Sequence, residues 1–104
     1  MVLVWRRYVT LKLIAYVLDV FDQVVSQVKD SLAKGATATV GGHVHHELNA
    51  AGGFFHHPTV LTGVTKEMLP YRQETFGPIL PLIKFKTEAE VIEMANDTEY
   101  VMYY

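Results

Sequence analysis

Apolar residues at Phe21, Val24, Val25, Val28 and Leu32 recur at the three-, four- and seven-residue spacing of one helical face. This is the feature that most constrains the fold. The spacing predicts an amphipathic helix over 21–34, with Asp22, Gln23, Gln27 and Lys29 turned away from the core. Lys34 and Gly35 supply its end: a cation at the negative pole of the helix dipole, then a residue free to turn left-handed. Short β-branched and aromatic runs follow, punctuated by Gly41-Gly42, Pro58 and Pro78, and they predict strands near 36–40, 58–62, 79–85 and 99–103. Pro58 cannot donate to a ladder, so the second strand is expected to begin at Thr59. Residues 43–53 read as loop, and Thr65 to Met68 as one helical turn ended by Pro70. Thr87-Glu88-Ala89-Glu90 fits a capping box and places a second helix over 88–96. Helices interleaved with strands imply an α/β fold with a mostly parallel sheet, and a core that includes Val25, Val28, Val60, Leu61, Leu82, Ile83, Val91 and Ile92.

The chain has 104 residues, enough for one modest core, and a net charge of −2 spread without runs of either sign. No electrostatic footprint for nucleic acid or anionic lipid results. Residues 1–20 are apolar but broken by Arg6, Arg7, Lys12 and Asp19, leaving Leu13 to Leu18 as the longest uninterrupted apolar stretch. A membrane-spanning helix needs about 20 such residues, and no small-residue cleavage site marks a secretory leader. A cytoplasmic location is therefore the default expectation. At the other end Tyr104 directly follows an apolar run, where a buried strand is expected to continue into something further.

Cysteine is absent, which removes disulfides, thiolate metal sites and any thiolate nucleophile from this chain. Ser26 and Ser31, the two serines, lie on the expected helix rather than in a Gly-x-Ser-x-Gly elbow. The glycines do not form Gly-x-Gly-x-x-Gly. No self-sufficient catalytic set is legible. Five histidines, His43, His45, His46, His56 and His57, flank one loop. They could form a metal-binding loop, although their spacing matches no ligand motif and exposed loop histidines are the simpler reading. Gln73-Glu74-Thr75-Phe76-Gly77-Pro78 sets a carboxylate and an aromatic two residues apart, so that on extended backbone both project to one side. One could accept hydrogen bonds from sugar hydroxyls while the other packs on a flat ring; a solvated glutamate and a core phenylalanine beside a turn would look the same.

Five blocks occur in order: Lys34-Gly35-Ala36 with Gly41-Gly42; Gly52-Gly53-Phe54-Phe55 with Pro58-Thr59-Val60-Leu61; Glu74-Thr75-Phe76-Gly77-Pro78; Ile79-Leu80-Pro81; and Ala95-Asn96-Asp97-Thr98-Glu99-Tyr100. Together they resemble the later part of the catalytic domain of the NAD(P)-dependent aldehyde dehydrogenase superfamily, with the flavour of the semialdehyde and aromatic aldehyde enzymes. The resemblance implies a partial three-layer α/β domain over 21–104, preceded by an unmatched apolar segment over 1–20. It gives Glu74 and Phe76 the family's contacts to the nicotinamide ribose and ring. No catalytic residue comes with it, because the family's cysteine, general-base glutamate, oxyanion-hole asparagine and dinucleotide-binding domain precede the matched part. His56-His57 and Val101 depart from the family pattern, and a valine forfeits the positive φ open to the usual glycine.

The expectation is a truncated or degenerate aldehyde dehydrogenase fragment, inactive alone. NAD or NADP belongs to the parent family, with none held tightly here, and an aldehyde is a partner only of the complete enzyme. Two alternatives stand beside it. One is an interaction module that self-associates or docks on a full-length relative, and the other is metal binding by the histidine loop.

Overall fold

The computed structural model describes the backbone of residues 2–98 and the side chains of residues 18–98. The element order is α1 (Val2–Ala33), β1 (Thr37–Val40), α2 (His46–Ala50), β2 (Thr59–Thr62), α3 (Leu69–Arg72), β3 (Ile79–Leu82) and α4 (Glu88–Asn96). The expected strand over 99–103 lies outside the described residues. The first helix begins much earlier than the expected residue 21, while its end is where the local chemistry places it. Gly35 has φ +104°, and the Ala36 amide donates back to the Ser31 carbonyl at 2.9 Å, closing the last turn.

The face of α1 that reaches the core differs from the apolar stripe. Val24, Gln27, Val28 and Ser31 are buried, whereas Val25 is only half-buried and Leu32 is 40% exposed. Gln27, expected to face solvent, is completely buried. Its polar atoms have partners in a distant loop, and Ser31 Oγ donates to the Gln27 carbonyl at 2.7 Å, so the polar positions can enter without unpaired groups.

The three strands form one sheet in the order β1-β2-β3. β1 is antiparallel to β2, and β2 is parallel to β3 with Thr59 opposite Ile79 and Thr62 opposite Leu82. The α/β class is as expected, but the sheet is mixed rather than mostly parallel. Residues 41–58, with the short α2, return the chain beside β1 in the opposite direction. Only the β2-to-β3 connection, which contains α3, makes the crossover that a parallel pair needs.

Side chains alternate across this sheet. Ala38, Thr59, Leu61 and Ile79 face α1, and Leu61 is fully buried in a core completed by Val64, Met68 and Tyr71. On the opposite face Val40, Val60 and Leu80 lie in one row across the three strands. Val40 is 55% exposed, Leu80 57% and Leu82 45%. Leu82 and Ile92, expected in the core, are therefore exposed: they are apolar but point to faces on which nothing described here packs. Val60, Ile83 and Val91 are half-buried.

Two helix starts correct the sequence reading. The turn expected over Thr65–Met68 is present, with the Met68 amide donating to the Thr65 carbonyl at 3.1 Å, but Pro70 also opens α3 directly after it, since its missing amide falls in the first turn where no intrahelical partner exists. The Leu69 amide donates to Asp30 Oδ2 at 2.8 Å, which ties α3 to α1. Asp30 also pairs with Lys34 at 2.7 Å, and these two donors hold its carboxyl below the ordinary carboxylate range. Residues 46–50, read as loop, make the single-turn helix α2, capped by His45, whose Nδ1 accepts from the Leu48 amide at 3.4 Å. At α4, Thr87 Oγ1 accepts from the Glu90 amide as a capping box requires, but the Glu90 carboxylate accepts from the Lys86 amide, one residue further back than expected.

Candidate functional site

Glu74 and Phe76 lie on a segment without regular secondary structure between α3 and β3. Three contacts from α1 and one from β3 fix it. The Thr75 hydroxyl donates to Gln27 Oε1 at 2.8 Å, and Gln27 Nε2 donates to the Glu74 carbonyl at 3.4 Å. Gly77 lies directly on Val24, so close that a Cβ there would overlap Val24 Cγ2. The Ile79 amide donates to the Gly77 carbonyl at 2.8 Å and leads the segment into β3.

Phe76 is 55% exposed and forms one wall of an apolar cleft of ≈ 280 Å³, opposite Phe21, Val24, Phe54 and Phe55. Phe21 and Phe54 meet edge to face at 5.8 Å between ring centroids, which stiffens the far wall. Glu74 is exposed and does not line the cleft. The structure thus brings Phe76 to an aromatic-walled opening and leaves Glu74 exposed outside its lining. Sequence reasoning named both residues and missed Gln27, Phe21 and Phe54. The signal for Gln27 was its place in the Val24, Gln27, Val28, Ser31 spacing, a helical face that becomes visible only when polar residues are counted.

A dinucleotide also needs a seat for its pyrophosphate, commonly a helix N-terminus. Glu47 occupies the first turn of α2, Glu88 and Glu90 that of α4, and Asp30 takes the first amide of α3. Each of these ends already carries a carboxylate that would repel a phosphate. At α2, α3 and α4 a carboxylate therefore already stands where a pyrophosphate would sit.

The histidine loop is organised by an isolated bridge between Val44 and His56. The His45 amide donates to the Phe55 carbonyl at 3.0 Å and the His57 amide to the His43 carbonyl at 3.1 Å. The His57 ring sits 4.4 Å from that of His43 and 5.0 Å from that of His45, the latter stacked. Partial desolvation, followed by the nearby imidazoles, lowers the pKa of His57 and favours the neutral ring. Among the described residues, no group of three or more His, Asp or Glu side chains is arranged to hold a metal ion. Of the two ring pairs, His45–His57 is stacked at 18° between planes and His43–His57 is tilted at 48°.

The model of the aldehyde dehydrogenase family matches residues 18–102. The chain belongs to the aldehyde dehydrogenase family. Succinate-semialdehyde dehydrogenase [NADP(+)] 2 of Schizosaccharomyces pombe is 46% identical over 81 residues, covering 78% of this chain and 16% of that protein. Mitochondrial succinate-semialdehyde dehydrogenase of Mus musculus is 46% identical over 78 residues, covering 75% of this chain and 14% of that protein. Among solved structures, the Burkholderia pseudomallei succinate-semialdehyde dehydrogenase superposes with a TM-score of 0.69 at 46% identity, over 78% of this chain and 16% of that one. The Mycobacterium tuberculosis aldehyde dehydrogenase complexed with NAD+ gives 0.67 at 32% identity, over 77% and 16%. This aldehyde dehydrogenase chain therefore spans about one sixth of the length of the relatives it matches, in a family that uses NAD(P). No helix among the described residues is long and apolar enough to cross a membrane.

Proposed function

We propose that this chain is the nicotinamide-contacting segment of an NAD(P)-dependent aldehyde dehydrogenase catalytic domain and has no turnover alone. The observation that carries the reading is Phe76 standing half-exposed in an aromatic cleft, on a segment clamped to α1, with Glu74 exposed two residues before it. Phe76 packs on the nicotinamide ring and Glu74 accepts hydrogen bonds from the adjoining ribose hydroxyls. The cofactor, when bound in the complete enzyme, accepts a hydride as the aldehyde becomes a carboxylic acid. In that reaction a cysteine thiolate attacks the aldehyde, and this chain contains no cysteine. Its own residues orient one end of the cofactor and do no bond chemistry. The location that accompanies this reading is cytoplasmic.

With only the riboside end recognised, binding should be no tighter than millimolar, about 4 kcal/mol. Calorimetry should detect no micromolar binding of NAD, and nicotinamide mononucleotide at millimolar concentration should shift the NMR signals of Glu74 and Phe76, with Phe76→Ala abolishing the response. Micromolar NAD binding lost in Glu74→Ala, or cofactor-dependent aldehyde oxidation by the pure chain, would overturn the reading.

A second reading is favoured by the row of Val40, Val60 and Leu80 on the open face of the sheet. Such a contiguous apolar patch fits self-association or docking on a full-length relative. Size-exclusion chromatography should then show elution that depends on concentration and reverts to monomer in Leu80→Lys; a monomer at all concentrations that also binds no relative would remove it.

A further inference from the structure

Gln27 is completely buried on α1, yet an apolar residue of that size would pack there without the cost of desolvating a primary amide. A buried amide is retained at no penalty only where both its donor and its acceptor are satisfied. Both partners of Gln27 belong to the same short segment: its Oε1 accepts from Thr75 Oγ1 at 2.8 Å, and its Nε2 donates to the Glu74 carbonyl at 3.4 Å. One turn earlier on the same helix face, Val24 lies against Gly77. Residues 74–77 have no regular secondary structure of their own, and Glu74 and Phe76 are exposed on either side of the half-buried Thr75. The order of this segment is thus supplied from outside, by α1.

We propose that Gln27 is a positioning residue: through Thr75 and the Glu74 backbone it holds the Glu74 carboxylate and the Phe76 ring in the spacing that meets a nicotinamide riboside. The assignment of that ligand rests on the function proposed above; the clamp itself does not. Two hydrogen bonds to adjacent residues fix both the position and the twist of the segment, and the Val24–Gly77 contact prevents it from pivoting about them. Gln27 touches no reacting atom. Its effect is to remove conformations of the loop in which the carboxylate and the ring point apart.

The test uses the full chain and 15N relaxation, with nicotinamide mononucleotide as the probe. In the unaltered protein, residues 74–76 should show backbone order parameters near the rigid value of about 0.85. Gln27→Leu and Thr75→Val each break the clamp, from the helix side and the loop side, and should lower the order parameters of 74–76 to about 0.6 or below while β2 and α4 keep theirs. The probe-induced shift at Phe76 should weaken at least about threefold in both, the size expected when one net hydrogen bond is lost. Thr75→Ser, which keeps the hydroxyl, should restore both readouts. If Gln27→Leu does not fold, Thr75→Val alone decides. Unchanged order at 74–76 in a folded Thr75→Val or Gln27→Leu protein, or a loop already mobile in the unaltered chain, overturns the proposal. A chain whose loop is ordered by Gln27 but which never responds to the probe overturns the riboside reading and leaves the clamp standing.

Discussion

Gly77→Ala probes the contact between α1 and the Glu74–Phe76 segment directly. Gly77 is not among the glycines with positive φ, so alanine meets no backbone barrier and should gain about 0.4–1 kcal/mol by restricting the unfolded chain. Against this, the new Cβ overlaps Val24 Cγ2, with Val24 Cβ at 3.6 Å and Cγ1 at 3.8 Å behind it. Val24 is β-branched, 2% exposed and on a helix, so it has one favoured rotamer and nowhere to turn. Overpacking of this kind costs about 1–3 kcal/mol, which leaves a net loss of about 1–2 kcal/mol. For a domain of this size each kcal/mol lowers Tm by roughly 4–8 °C, so a fall between about 4 and 16 °C is expected by circular dichroism. Val24→Ala removes the offending methyl and should by itself cost about 2 kcal/mol for the two buried methyl groups lost. The double variant should be less destabilised than the sum by more than about 0.5 kcal/mol, because the alanine at 77 then fills the space that valine left. Strict additivity, or a Gly77→Ala protein as stable as the parent, would show that α1 does not seat the segment through this contact.

Leu61→Ala removes the fully buried centre of β2 and should cost about 2–5 kcal/mol in urea unfolding, a large share of what a domain this size possesses. Thr87→Ala leaves the Glu90 amide without its cap and should cost about 1 kcal/mol, with loss of protection confined to the first turn of α4 in hydrogen exchange. For His57 the folded pKa lies below the ordinary 6.5, so the unfolded chain takes up the proton first as pH falls. Stability should therefore decline as pH drops from about 6.5 through the folded pKa and level off below it, a slope that urea midpoints between pH 8 and 5 detect and that His57→Gln should flatten.

What the sequence disclosed is what local chemistry decides. Gly35 ends α1, Thr87 starts α4 and Thr59 starts β2 for reasons contained within four or five residues of each. Pro70 was misread because a proline carries the same signal after a helix as inside its first turn, and only the distant carboxylate of Asp30 selects the second. Gln27 escaped for a similar reason: a helical face drawn from apolar residues alone leaves out a buried amide whose partner, Thr75, is 48 residues away. The mixed sheet was illegible because the direction of β1 depends on how residues 41–58 return, and the family blocks carry no orientation. Glu74 and Phe76 were named by resemblance; that Phe76 has an aromatic cleft before it depended on Phe21 and Phe54 meeting across the chain.

The two faces of the sheet divide what the chain can do unaided. The inner face buries Leu61 and Ile79 under α1 and supports the segment that carries Glu74 and Phe76. The outer face keeps Val40, Leu80 and Leu82 about half exposed. Complete burial of such a side chain is worth about 1.5–3 kcal/mol, so covering what remains exposed on the three yields about 2–4 kcal/mol, and roughly twice that if two copies cover each other. Bringing two separate molecules together costs about 4–15 kcal/mol. A pair of these chains is therefore close to break-even at the 1 M standard state, so these three side chains alone hold two copies together more weakly than millimolar. A cover supplied by the same polypeptide, as in a complete enzyme, avoids most of the association cost and keeps the burial gain. The same face that gives this chain a weak tendency to self-associate would thus be an ordinary interior layer once continuous with the rest of a catalytic domain, and the strength of concentration-dependent association measures how far this chain departs from that state.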